Sequence, residues 1–240
     1  LRYAIISDIH ANLEAFRSVL EEIEGLNVER TICLGDIVGY GANPNECIEI
    51  IRSQGIISLM GNHDSAACGR TEPIDFNPVA AEAVLWTRET LTEENRIFLG
   101  NLPEKEVIDG FLTVHGAISD PDKYILSTYD AAPEFRLLEY VAILCFFGHT
   151  HVSVSYSLDK GRIADSRAEA ISLRKGVKYL VNPGSVGQPR DKDPRASCLV
   201  YDSRGDVEFR RVEYPIEGAQ RKIIESGLNG FLAERLSHGY

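Results

Sequence analysis

Short apolar runs and amphipathic stretches alternate from the first residues of the chain. Tyr3-Ala4-Ile5-Ile6 reads as a buried strand, and Leu13, Phe16, Val19, Leu20 and Ile23 recur at helical spacing within residues 12–24. Thr31-Ile32-Cys33-Leu34 is a second buried strand. Asn45 to Arg52 continues as a helix with Asn43-Pro44 as its start signal, and Ile56 to Met60 is a third strand. The order is βαβαβ, which predicts a parallel sheet with helices on its faces.

Residues 65–100 change character. Pro73 and Pro78 bracket a loop, and Val79 to Leu91 and Glu93 to Leu99 read as two helices joined at Thr92, with the only tryptophan, Trp86, on the first. This helical insertion either covers a site as a cap or packs on the sheet. Val107-Ile108 and Phe111 to Val114 flank Asp109-Gly110, a hairpin signal. Residues 117–135 are polar and loop-like, and Val141 to Phe147 is the most hydrophobic strand of the chain. From Val152 onwards the pattern is β-rich, over Val152 to Leu158, Glu169 to Leu173, Lys178 to Val181, Ala196 to Tyr201 and Val207 to Val212. These strands predict a second, mostly antiparallel sheet packed on the first. A helix over Ile216 to Ile224 and a short C-terminal helix complete an α/β chain, expected to be one domain over residues 1–240.

Polar motifs sit where these strands end. Asp8 and His10 follow the first, Gly35-Asp36 the second and Gly61-Asn62-His63-Asp64 the third, then Val114-His115-Gly116 and Gly148-His149-Thr150-His151. Asp-x-His alone is a weak signal, but five of the six histidines fall in these motifs. In extended chain, residues two apart point to one side, and strand carboxyl ends open onto the crevice where α/β sheets bind ligands. Asp8, His10, Asp36, Asn62, His115, His149 and His151 form a set of two carboxylates, four imidazoles and one amide oxygen. That is too many ligands for one ion and suits two, if one carboxylate bridges. Mixed nitrogen and oxygen donors without thiolate favour Mn, Fe, Zn, Co or Ni over Ca. Two such dications leave positive charge for a phosphate and can activate a water for in-line attack.

The net charge of −11 disfavours duplex nucleic acid or an anionic membrane as the main partner, so an anionic substrate needs local positive charge. Five scattered cysteines, Cys33, Cys47, Cys68, Cys145 and Cys198, lack any paired spacing and read as reduced and mostly buried. With no signal-peptide pattern and no apolar run of membrane-spanning length, a cytoplasmic location is expected.

The ordered blocks D-x-H, G-D, G-N-H-D, a later H and G-H-x-H resemble those of the calcineurin-like metallophosphoesterase superfamily, and all five are present between residues 8 and 151. The resemblance implies two β-sheets sandwiched between helices and a dinuclear-metal hydrolase of phosphate esters, with a metal-bridging hydroxide as nucleophile. It implies one metal on Asp8, His10, Asp36 and His151 and a second on Asp36, Asn62, His115 and His149, with Asp36 bridging. It further implies that His63, which holds no metal, stabilises the transition state and protonates the leaving oxygen, and that Asp64 orients it. Asp8-Ile9-His10-Ala11-Asn12, Gly35 to Gly41 and Asn182 to Arg190 look like the compact prokaryotic phosphodiesterase branch, some members of which act on dinucleoside polyphosphates or phosphoproteins.

A phosphodiester or nucleotide-type small molecule is therefore the expected substrate. A phosphomonoesterase or phosphoprotein phosphatase is the alternative, and a non-catalytic metal-stabilised scaffold is the reading from another class, disfavoured by the presence of His63 with Asp64. Single residues keep two readings. His63 is either catalytic or a hydrogen-bond donor beside a ligand. Arg190, in a Gly/Pro-rich loop, binds a substrate phosphate or makes a surface salt bridge. Asn12 reads as a helix cap before a substrate contact. Tyr40, Tyr124 or Tyr129 could stack on a base, although plain loop packing competes for Tyr40, and His238 reads as exposed.

Overall fold

Alternation along the strands decides which layer each side chain joins. In β1 (Arg2–Ile6), Tyr3 and Ile5 point into a layer shared by two sheets, whereas Ala4 and Ile6 point into a helix-covered core. The computed structural model describes residues 1–240. After β1 come α1 (Leu13–Glu24), β2 (Arg30–Cys33), α2 (Pro44–Ser53), β3 (Ile57–Ser58), α3 (Asn62–Cys68), α4 (Pro78–Thr90) and α5 (Glu93–Gly100). The hairpin β4 (Lys105–Ile108) and β5 (Phe111–Val114) follows, then α6 (Thr128–Leu138) and β6 (Leu144–Phe146). The remainder is β7 (Ser153–Asp159), β8 (Arg162–Ser166), β9 (Ala170–Ser172), β10 (Lys178–Pro183), β11 (Ala196–Asp202), β12 (Asp206–Val212), α7 (Ile216–Glu225) and α8 (Gly230–Glu234).

The strands form two mixed six-stranded sheets, in the orders β3-β2-β1-β11-β12-β9 and β4-β5-β6-β10-β7-β8. Tyr3, Ile5, Ile32 and Leu199 from the first sheet meet Phe111, Leu144, Phe146 and Val181 from the second in a layer between them. The outer face of the first sheet carries the largest core, where α1, α2, α4 and α7 bury Phe16, Ile48, Val84 and Ile223. The outer face of the second is covered by α6 through Ala131, Phe135 and Leu138. Helix, sheet, sheet, helix is the layering the resemblance implied.

Three expectations are corrected. The strands after Val152 do not build a sheet of their own: β9, β11 and β12 extend the first sheet, with β11 antiparallel to β1, while β7, β8 and β10 extend the second. Residues 117–135 are not loop throughout, because α6 starts at Thr128 under a Ser127 cap and runs through Pro133. A proline lowers the apparent helix signal, yet the buried Ala131, Phe135 and Leu138 supply the apolar face. The insertion has a third helix, α3, beginning at Asn62, and all three contribute to the sheet-packed core through Ala66, Val84 and Leu99. Trp86 is partly buried against that core.

Asn12 caps α1, its Oδ1 accepting from Ala15 N at 3.1 Å while its Nδ2 donates to Gly187 O. The cysteines are free, four of them buried. His238 is exposed, as expected. No helix is long and apolar enough to cross a membrane.

Candidate metal centre

The parallel strands of both sheets end at one edge, and the chain turns sharply after each. Asp8 N donates to Gly35 O, His10 N to Asp36 O and Gly148 N to His115 O, so the turns are laced together by backbone. The turns are not extended chain. Asp8, His10, Asp36, His149 and His151 all have positive φ, between 49° and 66°. The two-residue alternation invoked for Asp8 and His10 therefore does not operate; left-handed turns bring their side chains together instead. Aspartate and histidine tolerate this region better than bulky or β-branched residues, but each costs on the order of 1–3 kcal/mol. Strain concentrated at one edge marks it as functional.

Two groups result. Asp8, His10, Asp36 and His151 offer ligand atoms within 4.8 Å of one another, as do Asp36, His115 and His149, and every member is buried. Asn62 joins the second group, its Oδ1 lying 3.2 Å from His115 Nε2. All seven residues named from the motifs thus converge, with Asp36 common to both groups.

Backbone carbonyls fix the tautomers. Nδ1 of His10, His115 and His151 lies 3.1, 3.0 and 2.6 Å from the carbonyls of Val38, Leu34 and Gln188. A carbonyl only accepts, so each Nδ1 carries the proton and each Nε2 faces inward. His149 is reversed: its Nε2 donates to Asp122 O at 3.0 Å, leaving Nδ1 free. Tyr124 stacks on the same ring, centroids 4.2 Å apart.

Burial lowers His10 and His151 well below the ordinary imidazole range, and burial together with the His115 charge lowers His149 to about 3. These rings are neutral donors at pH 7. Burial also opposes charge on His115, but Asp36, 3.3 Å away, with Asp8 and Asp64 behind it, pushes His115 up to about 9. Burial would raise Asp36, yet His115 and His63 hold it well below the usual carboxylate range. Asp8 is raised by burial and by the neighbouring Asp36 charge, and its Oδ1 has no hydrogen-bond partner. Buried carboxylates, inward lone pairs and an orphaned Asp8 oxygen fit divalent cations; the donor set does not select among Mn, Fe, Zn, Ni and Co.

His63 stands beside this group on the first turn of α3, 4% exposed, its backbone N donating to Asp36 Oδ1. Its ring is held by Tyr40, Phe76 and His10 at centroid distances of 4.5, 4.7 and 4.9 Å. Its Nδ1 lacks a partner and lies against Gly39, where a Cβ would come within 2.5 Å of that atom. Burial lowers His63 to about 4, so the ring is neutral at pH 7. Asp64, expected to orient it, does something else. Its Oδ1 accepts from Val38 N at 3.1 Å and its Oδ2 from Gly61 N at 3.0 Å, so it caps α3 and ties it to the Asp36 turn. Packing positions the His63 ring.

Arg190 is half-buried and makes no ion pair. Its Nη2 donates to Gln188 Oε1 at 2.9 Å, its Cζ lies 5.8 Å from the Tyr40 ring centre, and its Nε has no partner. Its charge acts on Asp8, His10, His63 and His151.

A cleft of about 390 Å3 opens over the metal groups, with Asn62, His63 and His149 in its lining and Tyr40, Phe76 and Tyr124 as its aromatic walls. Tyr129 is not among the lining residues and is 86% exposed. Glu72, Asp75 and Asp122 also line the cleft. A larger cleft of about 650 Å3 lies elsewhere, but its Arg195, Arg210 and Arg211 are already paired with Asp193, Glu208 and Asp191.

The motifs did not disclose several supporting groups. Asn182 Nδ2 donates to Gly148 O and Thr150 Oγ1 and holds the His149–His151 turn, while Ser185 Oγ donates to Asp8 O. Both lie in the Asn182–Arg190 segment, whose Asn-Pro-Gly-Ser pattern was the available signal. The carbonyls of Val38, Leu34, Gln188 and Asp122 leave no mark in side-chain patterns.

Residues 1–206 match the calcineurin-like phosphoesterase superfamily domain. The chain is 40% identical over 247 residues to an uncharacterized protein of Methanocaldococcus jannaschii, the match covering 98% of this chain and 97% of that one. The crystal structure of a metallophosphoesterase from Sphaerobacter thermophilus superposes with a TM-score of 0.89 at 39% identity, covering 100% of both chains. That of a hypothetical protein from Pyrococcus horikoshii OT3 superposes at 0.84 with 22% identity, covering 100% of this chain and 98% of that one, and shares the fold.

Proposed function

The chain belongs to the calcineurin-like phosphoesterase superfamily, and on that premise we propose that it is a metal-dependent hydrolase acting on phosphodiesters of small or nucleotide-type molecules. The observation that carries this reading is the shared Asp36, flanked by inward-facing imidazoles on both sides, beside an open cleft that Asn62, His63 and His149 line. Asp8, His10, Asp36 and His151 would hold one divalent ion, and Asp36, Asn62, His115 and His149 the other. Bound there, the two ions would supply positive charge for the phosphate and an activated water for attack on phosphorus.

The remaining work falls to the chain. Arg190 does not line the cleft, but its charge is felt at Asp8, His10, His63 and His151, and it is assigned to a phosphate oxygen. His63 is assigned to the leaving oxygen: in its imidazolium form it would pass a proton to the departing alkoxide as the phosphorus–oxygen bond breaks, returning to the neutral ring. Burial keeps the free ring neutral, so it would have to take up a proton before acting as the acid, a form that an anionic phosphate beside it favours.

Charge supports a diester over a monoester. A diester brings one negative charge and a phosphomonoester about 1.5 to 2 at pH 7. Glu72 is paired with Arg88, but Asp75 and Asp122 make the cleft less favourable to the second charge, and more so to a polyphosphate. Tyr40 and Tyr124 offer aromatic faces to a base. The test is turnover of bis-p-nitrophenyl phosphate against p-nitrophenyl phosphate after loading with Mn²⁺. Metal-dependent preference for the diester is expected; a preference for the monoester would replace this reading with a phosphatase. Two bound metals with no turnover of either ester, of dinucleoside polyphosphates or of phosphoproteins would favour a scaffold.

A further inference from the structure

The fully buried acids of the chain are Asp8, Asp36, Asp64 and Glu134, and only Glu134 lies outside the metal centre. It sits on α6, 0% exposed, and each oxygen is engaged. Oε2 accepts from Ser119 N at 3.0 Å; Oε1 accepts from Ser119 Oγ at 2.8 Å and from Lys123 Nζ at 2.9 Å. A buried carboxylate is costly unless fully partnered, and here the partners come from both ends of one short loop. Between those ends lies Asp122, whose carbonyl accepts from His149 Nε2, and just beyond is Tyr124, stacked on the same ring. His149 is the member of the set whose tautomer is reversed.

We propose that Glu134 is a positioning residue: it clamps the Ser119–Lys123 loop so that the Asp122 carbonyl and the Tyr124 ring hold His149 with Nδ1 turned towards Asp36 and Asn62. The consequence for metal binding rests on the reading given above; the clamp itself does not. α6, which the polar 117–135 stretch concealed, thereby reaches the metal centre without touching it.

The test uses the full chain in two ways. In chelator-treated protein, nitrogen-correlated proton NMR reads the hydrogen-bonded imidazole protons. Glu134→Ala is expected to broaden the His149 Nε2 proton into exchange while the Nδ1 protons of His10, His115 and His151 persist. In a Mn²⁺ titration, the same variant is expected to weaken one of the two sites about 10- to 100-fold and leave the other unchanged. Glu134→Gln, which keeps an acceptor for Ser119 but loses the charge facing Lys123, should fall between it and the parent. Should Glu134→Ala fail to fold, Ser119→Ala and Lys123→Met each remove one arm of the clamp and are expected to give the same selective loss in smaller measure. An unchanged His149 proton, or loss of all four imidazole protons together, overturns the clamp. If the parent binds no Mn²⁺, the metal reading falls and the His149 proton alone decides.

Discussion

The Nε2 atoms of His10 and His151 face each other at 3.2 Å, yet no hydrogen bond joins them. Each ring has its proton on Nδ1, donated to Val38 O in one case and Gln188 O in the other. Two lone pairs therefore converge beside Asp8 Oδ1, which is 3.4 Å from His151 Nε2 and has no hydrogen-bond partner. A cation held between the two lone pairs and Asp8 Oδ1 relieves this arrangement. Replacing His151 with alanine is accordingly expected to remove one metal and leave the second, whereas Asp36→Asn, which alters the shared carboxylate, is expected to cost both. Metal content after desalting, measured by mass spectrometry, checks the pair. Equal retention in both variants would contradict the shared role of Asp36.

Loading should release protons. In chelator-treated protein His115 is pushed up to about 9, so at pH 7 its Nε2 carries a proton that a metal must displace. The affinity of the second site is therefore expected to rise with pH, by about tenfold per unit below about 9, and to level off above it. Calorimetry in two buffers of different ionisation heat would count the released protons. An affinity flat between pH 6 and 9 would exclude His115 as a ligand.

Much of this centre was legible because its side chains are rare and ordered along the chain. Histidine occurs six times, and five fall after predicted strands. Convergence of distant strand ends followed from βαβ topology. What the pattern hid has physical reasons. The turns at Asp8 and His149 are left-handed, and aspartate and histidine enter that region without the glycine that usually announces it. β11 lies beside β1 although Ile5 and its partner Leu199 are 194 positions apart, and strand periodicity specifies a buried face without naming a neighbour. Glu134 reads in sequence as one more acidic surface residue, since its burial depends on where the 119–123 loop returns.

Asp64 offers a check on its revised role. Its two oxygens accept backbone N–H groups from Val38 and Gly61, and the residue is 0% exposed. Alanine there leaves both amides without partners, at a cost on the order of 1–3 kcal/mol for each. Denaturant unfolding is expected to show that loss. The pH dependence of kcat in whatever folded protein remains should match the parent, because no hydrogen bond connects Asp64 to the His63 ring. A shifted pH profile with unchanged stability would restore the orienting role.

His63 makes the sharpest demand on the proposed chemistry. It holds no place in either metal group, so His63→Ala is expected to retain both ions. Loss of a proton donor at the leaving oxygen should lower kcat by about 100- to 10,000-fold for an ordinary alkyl ester. The same variant should lose far less on a p-nitrophenyl ester, because p-nitrophenolate departs without protonation. The ratio of the two losses thus separates the candidate roles. If both esters slow equally, His63 acts on the charge of the phosphate, as its position beside Tyr40 and the Arg190 loop would also permit. If neither slows, the ring, held among Tyr40, Phe76 and His10, serves only to close the cleft wall.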